Sequence, residues 1–200
     1  LICTRKVRSI MVPTTFGTGA EATPNAIVTR PEKQLKVGIA NPSMIPDCVI
    51  LAPQLVRTLP QPVAAASAMD ALAHAIECYT SAKATCLSDL YALEALRLLV
   101  PNMTAACNEQ DEKAQEAMQL GAYYAGIAIA GSGTTAVHAL SYPLGGKFHV
   151  PHGIANAILL GPVLRFNASS CEGRLAQVAD ALWPAQAELP PSEKARLLVE

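Results

Sequence analysis

The sequence predicts a mostly α chain, with a short α/β fragment up to about residue 52 followed by an all-helical domain. Residues 1–52 alternate brief β-leaning runs with Pro- and Gly-marked turns. From about Pro53 the texture changes to Ala and Leu, with apolar residues spaced three and four apart. The composition suits a packed core: 51% of the 200 residues are hydrophobic and 16% charged, against roughly 25% charged in an average globular chain. Intrinsic disorder is excluded on that ground.

The strand candidates are Arg8 to Val12, closed by Pro13, then Ala26 to Thr29, Val37 to Ala40, and Cys48 to Leu51 between Pro46 and Pro53. Helices are expected over Ala64 to Thr80 and over Asp89 to Leu99, the latter ended by Pro101. A third runs from Glu112 to Ile129, with Ala114, Met118, Ala122 and Ala125 on one face. Ile154 to Leu160 has helical spacing, with Gly161-Pro162 expected to end or kink it. Ser192 to Glu200 reads as a helix with no stop signal. That and the opening Leu1 suggest a piece of a longer polypeptide.

Fifteen basic and sixteen acidic side chains leave a net charge of -1 without a basic stripe, which argues against nucleic-acid binding. Apolar runs such as Ala155 to Val163 are too short and interrupted to span a bilayer. Cys3, Cys48, Cys78, Cys86, Cys107 and Cys171 show no paired spacing, as expected of reduced thiols in a cytoplasmic protein.

The four histidines fall in two regions. His74 follows Asp70 by four residues within Met69-Asp70-Ala71-Leu72-Ala73-His74-Ala75-Ile76-Glu77. Side chains at that spacing share a helix face, so a carboxylate oxygen and an imidazole nitrogen can converge on one ion. His138, His149 and His152 lie on a Gly-punctuated segment that ends Val150-Pro151-His152-Gly153. One carboxylate with imidazoles suits Fe(II), Zn(II), Co(II) or Ni(II) better than Mg(II) or Ca(II). The competing structural account is a surface Asp–His pair and hydrogen-bonded core histidines; the Ala-rich surroundings weigh against it, because a buried charge needs a partner or an ion. The second candidate, Pro13-Thr14-Thr15-Phe16-Gly17-Thr18-Gly19-Ala20-Glu21, offers hydroxyls and free N–H groups as an anion or ribose clamp. It is neither a P-loop nor G-x-G-x-x-G, and an ordinary turn has the same composition.

Taken together, four motifs resemble the iron-containing (group III) alcohol dehydrogenases. They are Thr14 to Glu21, Met69 to Glu77, His138 with Pro143-Leu144-Gly145-Gly146, and Pro151-His152-Gly153-Ile154-Ala155-Asn156-Ala157. They stand in family order, and the likeness extends from residue 7 to Phe166-Asn167. The resemblance implies that residues 1–52 are the C-terminal part of an α/β (Rossmann-like) cofactor-binding domain. It makes residues 53–200 an all-helical metal-binding catalytic domain, truncated at its C-terminus. It further implies one metal, Fe(II) or Zn(II), held by Asp70, His74, His138 and His152. Thr14, Thr15, Thr18 and Lys36 would lie against NAD or NADP, and Asn25 near the substrate. His149 matches no ligand position. Asp70 sets the chain apart from the maleylacetate reductase branch, which has Asn there and uses no metal.

Two departures stand out. The family places a second His four residues after the position of His138, and here that residue is Tyr142, the catalytic candidate, whose hydroxyl would orient the substrate or a water chain in place of the imidazole's proton relay. The family's Gly-Gly-Gly-Ser phosphate turn is absent from these 200 residues. The expected activity is metal-dependent hydride transfer between an alcohol and NAD(P). The alternatives are a dehydroquinate-synthase-like lyase, which would need a Glu ligand, and a truncated non-catalytic metal-binding fragment. Expected partners are a small alcohol or aldehyde and further copies of the chain as a homo-oligomer, with no nucleic acid and no membrane.

Overall fold

The computed structural model describes residues 5–200, so Cys3 lies outside the described residues. The chain runs β1 (Ile10–Met11), β2 (Asn25–Arg30), β3 (Leu35–Ala40) and β4 (Cys48–Val49). Six helices follow: α1 (Gln61–Thr80), α2 (Cys86–Thr104), α3 (Glu112–Ser132), α4 (Ala136–Phe148), α5 (His152–Leu182) and α6 (Pro191–Val199). All four expected strands form, in two separate ladders. β1 pairs in parallel with β4, Ile10 opposite Cys48, and β2 pairs antiparallel with β3 from Asn25–Ala40 to Arg30–Leu35. Among the described residues no helix is long and apolar enough to cross a membrane.

Local chemistry sets the helix starts. Thr85 caps α2 in a capping box with Ser88, and the Asp111 carboxylate accepts the Ala114 N–H at 2.7 Å to begin α3. α1 packs against α2, α3, α4 and α5, so it forms the centre of the assembly. Its residues Ala64, Ala68, Ala71 and Ala75 are all buried along one stripe. Side chains that small let neighbouring backbones approach closely, and Leu96, Leu99 and Met118 fill the space left over. The predicted apolar face of α3 is buried at Ala114, Met118, Ala122 and Ala125.

Proline misleads in this chain. α2 continues through Pro101, α5 continues through Gly161-Pro162, and the Gly-punctuated segment after His138 is itself a helix containing Pro143. Each proline deprives the carbonyl four residues earlier of its partner, at Arg97, Ala139 and Ile158. All three prolines and all three of those residues are exposed, so water can take over the lost bond. The departure from helical geometry in α5 falls at Cys171 instead, with φ −134° and ψ 26°.

The Thr14–Glu21 segment is pinned to the helices. Phe16 is fully buried, contributing about 1.5–3 kcal/mol of apolar burial. Gly19 has φ +55°, a left-handed conformation glycine adopts without penalty. A Cβ on Gly19 would lie 2.6 Å from the Ala122 carbonyl oxygen, and one on Gly126 would lie 2.3 Å from the Gly19 carbonyl oxygen. The loop therefore sits directly on the backbone of α3.

Candidate metal centre

Three helices bring the predicted ligands together. Asp70 and His74 are one turn apart on α1, His138 is on the first turn of α4, and His152 opens α5 directly after Pro151. Ligand atoms of Asp70, His138 and His152 all lie within 4.8 Å of one another. From Asp70 Oδ1 the distances to imidazole Nε2 are 3.4 Å at His138, 3.6 Å at His152 and 3.8 Å at His74. His74 stands at the margin of the trio, its ring stacked on that of His138 with centroids 4.3 Å apart. A tetrahedral site with bonds of about 2.0–2.2 Å has ligand–ligand edges of about 3.3–3.6 Å, so the spacing fits one ion.

Two buried groups escaped the sequence reasoning. Glu77 lies two turns beyond Asp70 on α1, and its Oε2 pairs with Nδ1 of His138. Its Oε1 accepts from Thr135 N–H at 3.0 Å, the Thr135 hydroxyl at 2.6 Å and Val137 N–H at 2.8 Å, across the N-terminus of α4. The carboxylate holds a proton on Nδ1, so that a cation displacing the Nε2 proton of His138 would meet a lone pair turned toward Asp70. The signal was present in the sequence, since Glu77 closes the Met69–Glu77 motif at a spacing that keeps it on the Asp70 face. The second is Asn156, fully buried one turn after His152 on α5; its Nδ2 lies 2.7 Å from Asp70 Oδ1, 3.1 Å from His138 Nε2 and 3.3 Å from His152 Nε2. A polar residue between Ala155 and Ala157 was the visible clue.

The electrostatics favour a cation. Burial alone would raise the Asp70 carboxyl, but His74, His138 and His152 outweigh it and hold it well below the usual carboxylate range. Burial likewise opposes charge on Glu77, yet His138, Thr135 and Val137 hold its carboxyl below its ordinary value. Burial also works against a charged His138, but the bonds and charges of Asp70 and Glu77 lift it to about 9. His74 is pulled down to about 4 and His152 is lowered, both chiefly by burial, so their nitrogens stay available as neutral donors. Asp70 and Glu77 are 3% and 2% exposed, and among the described residues neither pairs with a Lys or Arg. Two buried carboxylates whose ion-pair partners are all imidazoles form an environment that stabilises added positive charge.

A cavity of about 500 Å³ opens onto these ligands. Thr18, Asn25, Lys36 and Tyr142 line it together with Asp70, His74, His138 and His152. Thr14 and Thr15 are not among the lining residues, although they share the loop with Thr18. Tyr142 lies one turn beyond His138 on α4 and its ring stacks on His152, centroids 6.1 Å apart. Burial, followed by the charges of Asp70 and Glu77, raises its phenol further, so it remains a neutral hydroxyl. His149 is exposed at the end of α4 with φ +56° and takes no part in the site.

Comparison with known proteins agrees with the geometry. Residues 2–53 match the family model described as iron-containing alcohol dehydrogenase, and residues 64–196 match the Fe-containing alcohol dehydrogenase family, C-terminal. Long-chain-alcohol dehydrogenase 1 of Geobacillus thermodenitrificans is 40% identical over 86% of this chain and 44% of its own length. Among solved structures, a 1,3-propanediol oxidoreductase superposes with a TM-score of 0.90 at 32% identity, over 95% of this chain and 50% of that one. The iron-containing alcohol dehydrogenase of Thermotoga maritima superposes with a TM-score of 0.82 at 30% identity, over 98% of this chain and 52% of that one. The chain thus spans about half the length of these relatives. With both segments matched in order and the helical part superposing on solved members, the chain belongs to the iron-containing alcohol dehydrogenase family.

Proposed function

We propose that the chain carries the metal site and part of the cofactor cleft of an NAD(P)-linked alcohol dehydrogenase, which also works in reverse as an aldehyde reductase. Asp70, His74, His138 and His152 would hold one Fe(II) or Zn(II). The supporting observation is the convergence of Asp70 Oδ1 with imidazole Nε2 atoms at 3.4–3.8 Å beside buried carboxylates that no Lys or Arg neutralises among the described residues. When bound, the ion supplies Lewis-acid polarisation of the alcohol or carbonyl oxygen, and the nicotinamide carries the hydride.

The chain's own residues do the rest. Glu77 holds the Nδ1 proton of His138 and thereby directs Nε2 into the site. Thr18 and Lys36 line the same cavity as the ligands, where hydroxyl and ammonium donors suit a nucleotide. Asn25 lines the same cavity and would contact the substrate. The Tyr142 hydroxyl can donate a hydrogen bond toward the substrate oxygen, but as a neutral phenol it does not store the released proton as an imidazole would. Relatives named for long-chain alcohols, 1-propanol and 1,3-propanediol support primary alcohols as the substrate class.

Protein purified without chelator is expected to contain about one divalent ion per chain, and His74→Ala to lose most of it. Near-stoichiometric metal in an Asp70→Ala/His152→Ala double variant would sink the assignment.

A further inference from the structure

Asn156 stands out among the polar side chains of the helical part. It is 0% exposed on α5, flanked by Ala155 and Ala157, and its amide nitrogen lies within hydrogen-bond distance of three candidate ligand atoms. These three contacts face only two N–H hydrogens, and an imidazole Nε2 accepts one only when its ring carries the proton on Nδ1 alone. The carboxylate oxygen of Asp70 is nearest at 2.7 Å and is the charged one, so it takes the first hydrogen. The second is left to the imidazoles at 3.1 and 3.3 Å. At the other end of the amide, Asn156 Oδ1 is buried without a partner. Asn156 engages only its donor end, and only with the ligand set.

Resting on the metal-site reading above, we infer that Asn156 is a positioning residue whose amide N–H turns Oδ1 of Asp70 toward the three imidazoles. Asp70 lies on α1 without another side-chain N–H or O–H donor, apart from the histidines, among the described residues. Without Asn156 the carboxylate is free to rotate about its last bond, and the oxygen that meets Nε2 of His138 and His152 is no longer selected. Asn156 sits one turn after His152 on the same helix, so it ties α5 to α1 at the point where the ligands meet.

The test is a Co(II) titration of the purified protein, followed by the visible d–d absorption, on wild type, Asn156→Leu and Asn156→Asp. Leucine keeps the bulk and removes the donor; aspartate keeps the shape and replaces the donor by an acceptor. Both are expected to bind Co(II) about 10–100-fold more weakly, with altered d–d bands. Asn156→Leu is expected to melt within a few degrees of wild type in the presence of chelator, which separates positioning from loss of fold. Should Asn156→Leu fail to fold, Asn156→Asp decides. Affinity of the folded variant within twofold of wild type overturns the inference, and so does tighter binding by Asn156→Asp, which would make the position a ligand. Wild-type protein that takes up no Co(II) overturns the metal site and this inference together.

Discussion

Replacing Glu77 by Gln changes one oxygen for an NH₂ group and removes a charge, so its consequence follows from where the two ends can go. Oε1 accepts three donors, from Thr135 N–H, the Thr135 hydroxyl and Val137 N–H, while Oε2 accepts from His138. If the amide places NH₂ on the α4 side, buried N–H donors face other donors at about 1–3 kcal/mol each. That orientation loses. The amide oxygen therefore stays at the start of α4, and NH₂ faces Nδ1 of His138. Nδ1 must then accept, the ring proton moves to Nε2, and the lone pair aimed at Asp70 disappears. Recovering the productive tautomer leaves two donors opposed and gives up a charged hydrogen bond, about 1.5–3 kcal/mol. Metal affinity should fall about 10–100-fold. Titration of chelator-stripped protein with Zn(II) against a competing indicator measures it. Equal affinity in Glu77→Gln and wild type would refute the reasoning, because His138 would then not depend on Glu77 for its orientation.

Three further outcomes are expected. Burial pushes the Cys78 thiol up to about 12, so it should resist iodoacetamide at pH 8 in the folded protein while exposed Cys48 and Cys86 react, as peptide mass mapping would show. Gly126→Ala puts a Cβ 2.3 Å from the Gly19 carbonyl oxygen, where backbone must move; a loss of about 1–3 kcal/mol in thermal unfolding is expected, with metal content unchanged. In the full-length protein, Tyr142→Phe should lower kcat without altering metal content, and Tyr142→His should shift the acidic limb of the pH profile; wild-type kinetics in Tyr142→Phe would make the ring a packing element.

Regular, local signals were legible in the sequence. Ala and Leu spacing located α1, α2 and α3, and the buried faces follow it at Ala114, Met118 and Ala122. Helix ends were read poorly, because a proline inside a helix costs little when it and the carbonyl it abandons face water, and facing water is a tertiary property. Pro101, Pro143 and Pro162 all do so. α4 was missed for the same reason, with Gly145 and Gly146 adding to the signal against a helix. The Asp70–His74 pair was visible through its i,i+4 spacing, whereas His138 and His152 were assigned by resemblance alone. Glu77 and Asn156 act across helices on atoms 61 and 86 residues away, and no local period encodes such a contact.

The same geometry would tie a bound metal to the fold. α1 carries two carboxylates, Asp70 and Glu77, into the centre of a helical assembly, and the imidazoles that answer them arrive on α4 and α5. Burying those charges is unfavourable unless both helices are docked, so the docking of α4 and α5 and the binding of a cation belong to one equilibrium. A ligand present at 100 times its Kd adds about 2.7 kcal/mol to the folded state, a large share of a domain's usual margin. The cavity beside the ligands is lined also by Thr18 of the loop, Asn25 of β2 and Lys36 of β3. Gly19 and Gly126 hold the loop that carries Thr18 against α3 at backbone contact, where no Cβ would fit between them.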